Sequence, residues 1–215
     1  MPSTVSRITW LGIVIAYFSI TIIVSIFKYF YGPQLTDGIM MARELLIFCV
    51  VAFLCFYIIP KEGNKLASIG LHNRNWLKAI LWSLGFTVVM VIILLGFAEL
   101  CRLLGWSFGE SKAFDKLSPF TVTFITIRAG VAEEVFMRGY LLERLTIITG
   151  KKWMALLLSS LPFGLLHFTQ GIAGIVIATV AGVILSLFYF WKKDLKINII
   201  THFLTDFIPN VLARL

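Results

Sequence analysis

Glu133-Glu134-Val135-Phe136-Met137-Arg138 puts two adjacent carboxylates and a guanidinium inside a stretch that otherwise reads as membrane-buried. A charge at the bilayer centre costs about 3 kcal/mol or more. Glu134 and Arg138 stand four apart and share one helical face, so they can pair. A structural ion pair accounts for those two. It leaves Glu133, whose side chain points about 100° around the helix from Glu134. Ionisable groups buried in a membrane mark functional sites by default, and the stretch is read as one.

The chain around it has 215 residues, 59% of them hydrophobic and 14% charged, with a mean hydropathy of +0.93. An ordinary soluble domain is about 25% charged. The expectation is an all-α, polytopic transmembrane helix bundle forming a single membrane domain over 1–215. The net charge of +8 is read as Lys and Arg placed in loops on one membrane side. No basic stripe with interleaved aromatics stands free of the apolar runs, so membrane lipid is expected as a partner and nucleic acid is not. Cys49, Cys55 and Cys101 form no CxxC and read as small buried hydrophobes.

About seven spans are expected. The first, Ile8 to Phe30, is longer than a signal-peptide core and lacks a small-x-small cleavage site after it. It ends at Tyr31-Gly32-Pro33 and the turn Thr36-Asp37-Gly38. The second runs from Ile39 to Ile59 and stops at Pro60; the third covers Trp76 to Leu100. The segment from Gly105 to Pro119 carries Glu110, Lys112, Asp115 and Lys116 and reads as a loop or short surface helix. The fourth span starts near Phe120, holds the Glu-Glu motif and is closed by Arg144 and Lys151-Lys152. The fifth, Trp153 to Phe168, is short and broken by Pro162. The sixth covers Ile172 to Trp191, and the seventh begins near Ile197 and reaches Pro209 or beyond.

With the N-terminus cytoplasmic, the inner ends hold Arg7, Lys61, Lys65, Arg74, Lys78, Arg144, Lys151, Lys152, Lys192, Lys193 and Lys196. The outer side keeps Arg43, Lys112 and Lys116, an asymmetry that follows the positive-inside rule. Gly174, Ala178 and Gly182, four apart each time, predict close helix packing beside the site.

Two of the three histidines, His167 and His202, fall in apolar segments, while His72 is in a loop. Phe163 and His167 share a helical face, as do His202 and Asp206. The polar set is therefore Glu133, Glu134, Arg138, His167, His202 and Asp206. A bilayer drives such groups inward, so they should converge. A glutamate held out of water can serve as a general base near neutral pH, and an imidazole can hold the same water. No serine or cysteine stands beside a base, and GxSxG is absent, so hydrolysis by activated water fits the chemistry. Glu133, His167, His202 and Asp206 could instead bind a divalent metal such as zinc, but HExxH spacing is missing and no cofactor is favoured.

Three motifs resemble those of the CPBP family of intramembrane proteases, the CAAX-protease and bacteriocin-processing (Abi) family. Glu133-Glu134-x-x-x-Arg138 is similar to EExxxR, Phe163-x-x-x-His167 to FxxxH, and His202-x-x-x-Asp206 to HxxxN/D. The resemblance covers about residues 120–210. It divides the chain into N-terminal spans over 1–118 and a catalytic core over 119–215. It implies a transmembrane bundle in a prokaryotic plasma membrane, a peptide or lipidated protein as substrate, and peptide-bond hydrolysis in CAAX trimming, peptide maturation or bacteriocin immunity. It further implies that Glu133 and His167 activate water, that Glu134 and Arg138 order the motif, and that His202 with residue 206 stabilises the oxyanion. Asp206 departs from the Asn of prenyl-protein members. An ionised carboxylate cannot donate to an oxyanion, so Asp206 is read as orienting His202 and keeping it charged.

Two other readings compete. A non-catalytic immunity protein would be expected to lose motif residues, and none is lost. A proton-coupled transporter would often show two similar halves, whereas here the first three spans carry little polarity.

Overall fold

The computed structural model describes residues 5–32, 36–73, 75–109 and 114–212. Pro33, Arg74, Glu110 and Lys112, assigned above to a break and to loops, lie outside them. Among the described residues the chain forms seven helical rods and no strand. We label them α1 (Arg7–Tyr31), α2 (Asp37–Lys61), α3 (Trp76–Leu103), α4 (119–149), α5 (Lys152–Leu165), α6 (Gly171–Lys192) and α7 (Leu195–Asn210).

Four helices are long and apolar enough to cross a membrane: α1, α2, α3 and α6 with its preceding turn. The expected bundle of about seven helices is present, but α5 and α7 have only 14 and 16 residues. At 1.5 Å per residue they reach about 21 and 24 Å, short of a hydrocarbon core of about 30 Å. Two boundaries also move. Pro162 does not break the fifth helix, which continues three residues further to Leu165. Pro60 does not end the second. A wide π turn over Leu54–Ile58 precedes it, and the helix runs on through Lys61. Proline has no N–H to give the ladder, and a wide turn is one way to accommodate that loss.

Contacts at the rod ends fix an up-and-down order. At one end Glu62 meets Arg144, Lys193 meets Glu143, and the Leu195 N–H donates to the Gly70 carbonyl at 3.0 Å. At the other, the Ser118 N–H donates to Asp37 Oδ1 at 3.0 Å and the Gly109 N–H to the Gln170 carbonyl at 2.8 Å. Ser118 also caps α4 by accepting from the Thr121 N–H, with Pro119 opening the helix.

The middle of α4 is the centre of the molecule. Ala132, Val135, Phe136, Met137, Arg138, Tyr140, Leu141 and Leu142 are all buried. From 134 to 142 every residue is buried, so this stretch is enclosed on all sides by its neighbours. The surrounding helices turn large side chains such as Phe18, Phe56, Leu81 and Leu187 outward. Cys55 and Cys101 are buried as expected, whereas Cys49 lies on an exposed face. Arg43, Arg144 and Lys196, assigned to loops from their charge, are buried. Each has a partner: Glu44 for Arg43, Glu62 for Arg144, and Asp194 with the His72 carbonyl for Lys196.

Candidate active site

Residues Ala129–Glu133 and Val135–Leu141 of α4 wind as π turns rather than as ordinary α-helix. Such turns are rare and concentrate at functional sites. They change the angular offsets that a 3.6-residue repeat would set for Glu133 and Glu134. Gly130 brings α4 against α7. A Cβ there would stand 2.9 Å from the Ile199 carbonyl and 3.1 Å from Phe203 Cβ. That close approach lets His202 reach both glutamates.

Glu134 is the buried anchor, with its side chain 0% exposed. Its Oε1 accepts from Arg138 Nη1 at 2.7 Å and from His202 Nδ1 at 2.8 Å; its Oε2 accepts from Asn198 Nδ2 at 3.2 Å. The expected Glu134–Arg138 pair is therefore present. Arg138 also lies over the Phe163 ring, 4.5 Å from its centroid. That stacking faces a guanidinium whose Nε and Nη2 have no hydrogen-bond partner among the described residues.

Glu133 faces the other way, with its side chain 16% exposed. Arg128 Nη1 donates to its Oε1 at 3.0 Å, and its Oε2 lies 3.9 Å from His202 Nε2. Asp206 Oδ2 is 3.5 Å from that same nitrogen. Asp206 lies beside His202, but Glu134 is the nearer carboxylate and holds the opposite nitrogen. His167 Nδ1 donates to the Phe163 carbonyl at 2.8 Å. In a neutral imidazole that bond leaves the lone pair on Nε2.

Arg128, Glu133, His167, His202 and Asp206 line one cavity of about 640 Å³. Its other wall is apolar, made by Met90 and Leu94 of α3 with Ile177, Ala178, Ala181 and Leu185 of α6. Exposed Thr169 and Gln170 border it at one end of the bundle. Glu134 and Arg138 do not line it. Of the expected small-residue row, Gly174 and Ala178 line the cavity, and a Cβ on Gly182 would stand 3.3 Å from Phe163. Among the described residues no group of three or more His, Cys, Asp and Glu side chains is placed to hold a metal ion.

Sequence reasoning missed Arg43, Glu44, Arg128 and Asn198. Glu44 is fully buried on α2 and accepts from both Arg43 and Arg128. The first three spans are therefore not devoid of polarity relevant to the site. The logic applied to the Glu-Glu motif also picks out Arg43-Glu44, an ionic pair inside an apolar run. Asn198 precedes His202 by one four-residue step, a spacing that puts it on the same face.

Residues 115–208 match the family model described as Rce1-like, type II CAAX prenyl endopeptidase. That stretch is what resembles an Rce1-like domain. No curated protein and no solved structure matches the chain. The Rce1-like segment takes in α4 to α7 almost entirely and contains all three motifs. It supports an intramembrane protease function in general. Glu44, on α2, lies outside it.

Proposed function

We propose that the protein is an endopeptidase acting inside the membrane on a lipid-modified or membrane-associated peptide. Glu133 and His167 activate the hydrolytic water. The carrying observation is the division of two neighbouring carboxylates: Glu134 is buried and fully engaged, while Glu133 faces a cavity it shares with His167, His202 and Asp206.

In this reading His167, held through Nδ1, presents Nε2 to the water that Glu133 deprotonates. The water oxygen bonds to the peptide carbonyl carbon, and its proton passes to Glu133. His202, fixed through Nδ1 by Glu134, donates from Nε2 to the oxyanion, with Asp206 aligning the ring. The C–N bond then breaks, and the proton on Glu133 goes to the leaving amine. The apolar wall opposite suits an apolar portion of the substrate. No metal enters this scheme. The N-terminus is placed on the cytoplasmic side by the positive-inside rule, in a prokaryotic plasma membrane.

The test is cleavage of a farnesylated CAAX peptide by purified protein, with and without a zinc chelator. Glu133→Gln and His167→Ala should each lower kcat by about 10²- to 10⁴-fold, and the chelator should leave the wild type unchanged. Loss of activity with chelator would assign the residues to a metal instead. If the wild type cleaves neither this peptide nor an unmodified precursor peptide, the reading fails and a binding role stands.

A further inference from the structure

Arg128 belongs to none of the three motifs. It stands five residues before Glu133 on α4, is buried, and lines the cavity. Its Nη1 donates to Glu133 Oε1 at 3.0 Å, and its Nε donates to Glu44 Oε2. The second oxygen of Glu44 accepts from Arg43 Nε at 2.7 Å. Charges therefore alternate along one line, Arg43, Glu44, Arg128, Glu133, from the interior of α2 to the cavity.

A purely structural ion chain that clips α2 to α4 explains the first three members. It does not explain why the chain ends on the carboxylate that faces the cavity. Buried ion pairs are poor sources of net stability, because desolvation offsets the attraction. What they do well is fix geometry, and a planar guanidinium can hold two carboxylates at once where an ammonium holds neither in a fixed plane. Here one fork is anchored on Glu44, which is fully enclosed, and the other on Glu133. With Oε1 held, the Glu133 carboxylate has one free oxygen, and that oxygen faces His202.

We infer that Arg128, anchored by Glu44, is a positioning residue that fixes the Glu133 carboxylate for water activation. The site then draws on α2, outside the Rce1-like segment. This rests on the peptidase reading above, which makes Glu133 the base.

The experiment measures kcat and KM on the farnesylated CAAX peptide for wild type, Glu133→Gln, Arg128→Gln, Arg128→Lys and Glu44→Gln, with thermal unfolding of each in detergent. Misplacement of a reacting group costs about 10²-fold in rate. Arg128→Gln should therefore lower kcat by about that factor, with KM within about two-fold. Arg128→Lys should recover part of the loss. Glu44→Gln should lower kcat by less, and adding it to Arg128→Gln should change nothing further, as residues in one unit are non-additive. In the Glu133→Gln background, Arg128→Gln should have no effect.

An Arg128→Gln enzyme with unchanged kcat overturns the inference, as does a Glu44→Gln loss that fully multiplies with it. Should Arg128→Gln fail to fold, Arg128→Lys decides, because wild-type kcat with a lysine there also overturns it. A wild type that does not cleave, or an active Glu133→Gln, sinks the peptidase reading itself and is told apart by that.

Discussion

Two polar clusters sit on the same helix and differ in one respect. Toward one end of α4, Glu62 accepts from the Tyr140 hydroxyl at 2.7 Å and from Arg144 Nε and Nη2 at 3.0 and 2.6 Å; Arg144 Nη2 also donates to Ser68 at 3.1 Å. Glu62 and Arg144 also border a smaller cavity of about 230 Å³, but each member's hydrogen bonds are met by another member. In the middle of α4, the Glu133 cluster is met on one side only, and the rest faces a cavity. A cluster that closes on itself holds helices together. A cluster that keeps valences directed at open space is equipped to hold something else.

The sharpest way to break this contrast is to neutralise one carboxylate in each. Glu133→Gln should lose about 10²- to 10⁴-fold in kcat while its thermal midpoint stays near wild type. Glu62→Gln strips a buried guanidinium of its partner and should lower stability by about 3–5 kcal/mol, with kcat per folded molecule retained. Two variants with the same phenotype would erase the distinction.

Gly130→Ala tests how tightly the working cluster depends on helix spacing. The added Cβ meets the Ile199 carbonyl and the Phe203 backbone, which have no side-chain freedom to yield. We expect a loss of about 1–3 kcal/mol from overpacking. Activity should fall at least about tenfold, because α7 carries His202 away from the glutamates. Kinetics at wild-type level would show that the spacing is slack.

The closed cluster has a pH signature. Burial pushes the Glu62 carboxyl up, but hydrogen bonds from Arg144 and Tyr140 and the Arg144 charge outweigh it and hold the group below its ordinary value. A depressed folded-state pKa contributes stability above the unfolded-state value, about 4.3 for Glu, and that stability is lost as pH falls through the folded-state value. The thermal midpoint of the wild type should drop over that acid range, and Glu62→Gln should flatten the drop. The smallest effect is Tyr140→Phe, about 1 kcal/mol for one hydrogen bond, with unchanged cleavage.

Most of the site could be read from spacing. Glu134–Arg138, Phe163–His167 and His202–Asp206 are each one four-residue step, and each pair meets. The helix count follows from apolar runs, but neither Pro162 nor Pro60 ends its helix; a wide turn precedes Pro60, whereas Pro162 sits in regular α-helix three residues before its end. Arg43, Arg144 and Lys196 were misassigned for a common reason. Charge alone does not say whether a partner waits in the interior, and Glu44, Glu62 and Asp194 do. The link from Arg128 to Glu44 joins residues 84 positions apart, which no local period reports.

The π turns of α4 impose a constraint of a different kind. Two clusters with different tasks are rigidly phased on one rod, and the wide turns between residues 129 and 141 set that phase. Deleting a single residue there would rotate one cluster against the other by about 100° while changing no contact chemistry. Within this segment the count of residues is as constrained as their identity. Substitutions should be tolerated at many lipid-facing positions of the chain, whereas an insertion or deletion here should abolish the proposed cleavage outright.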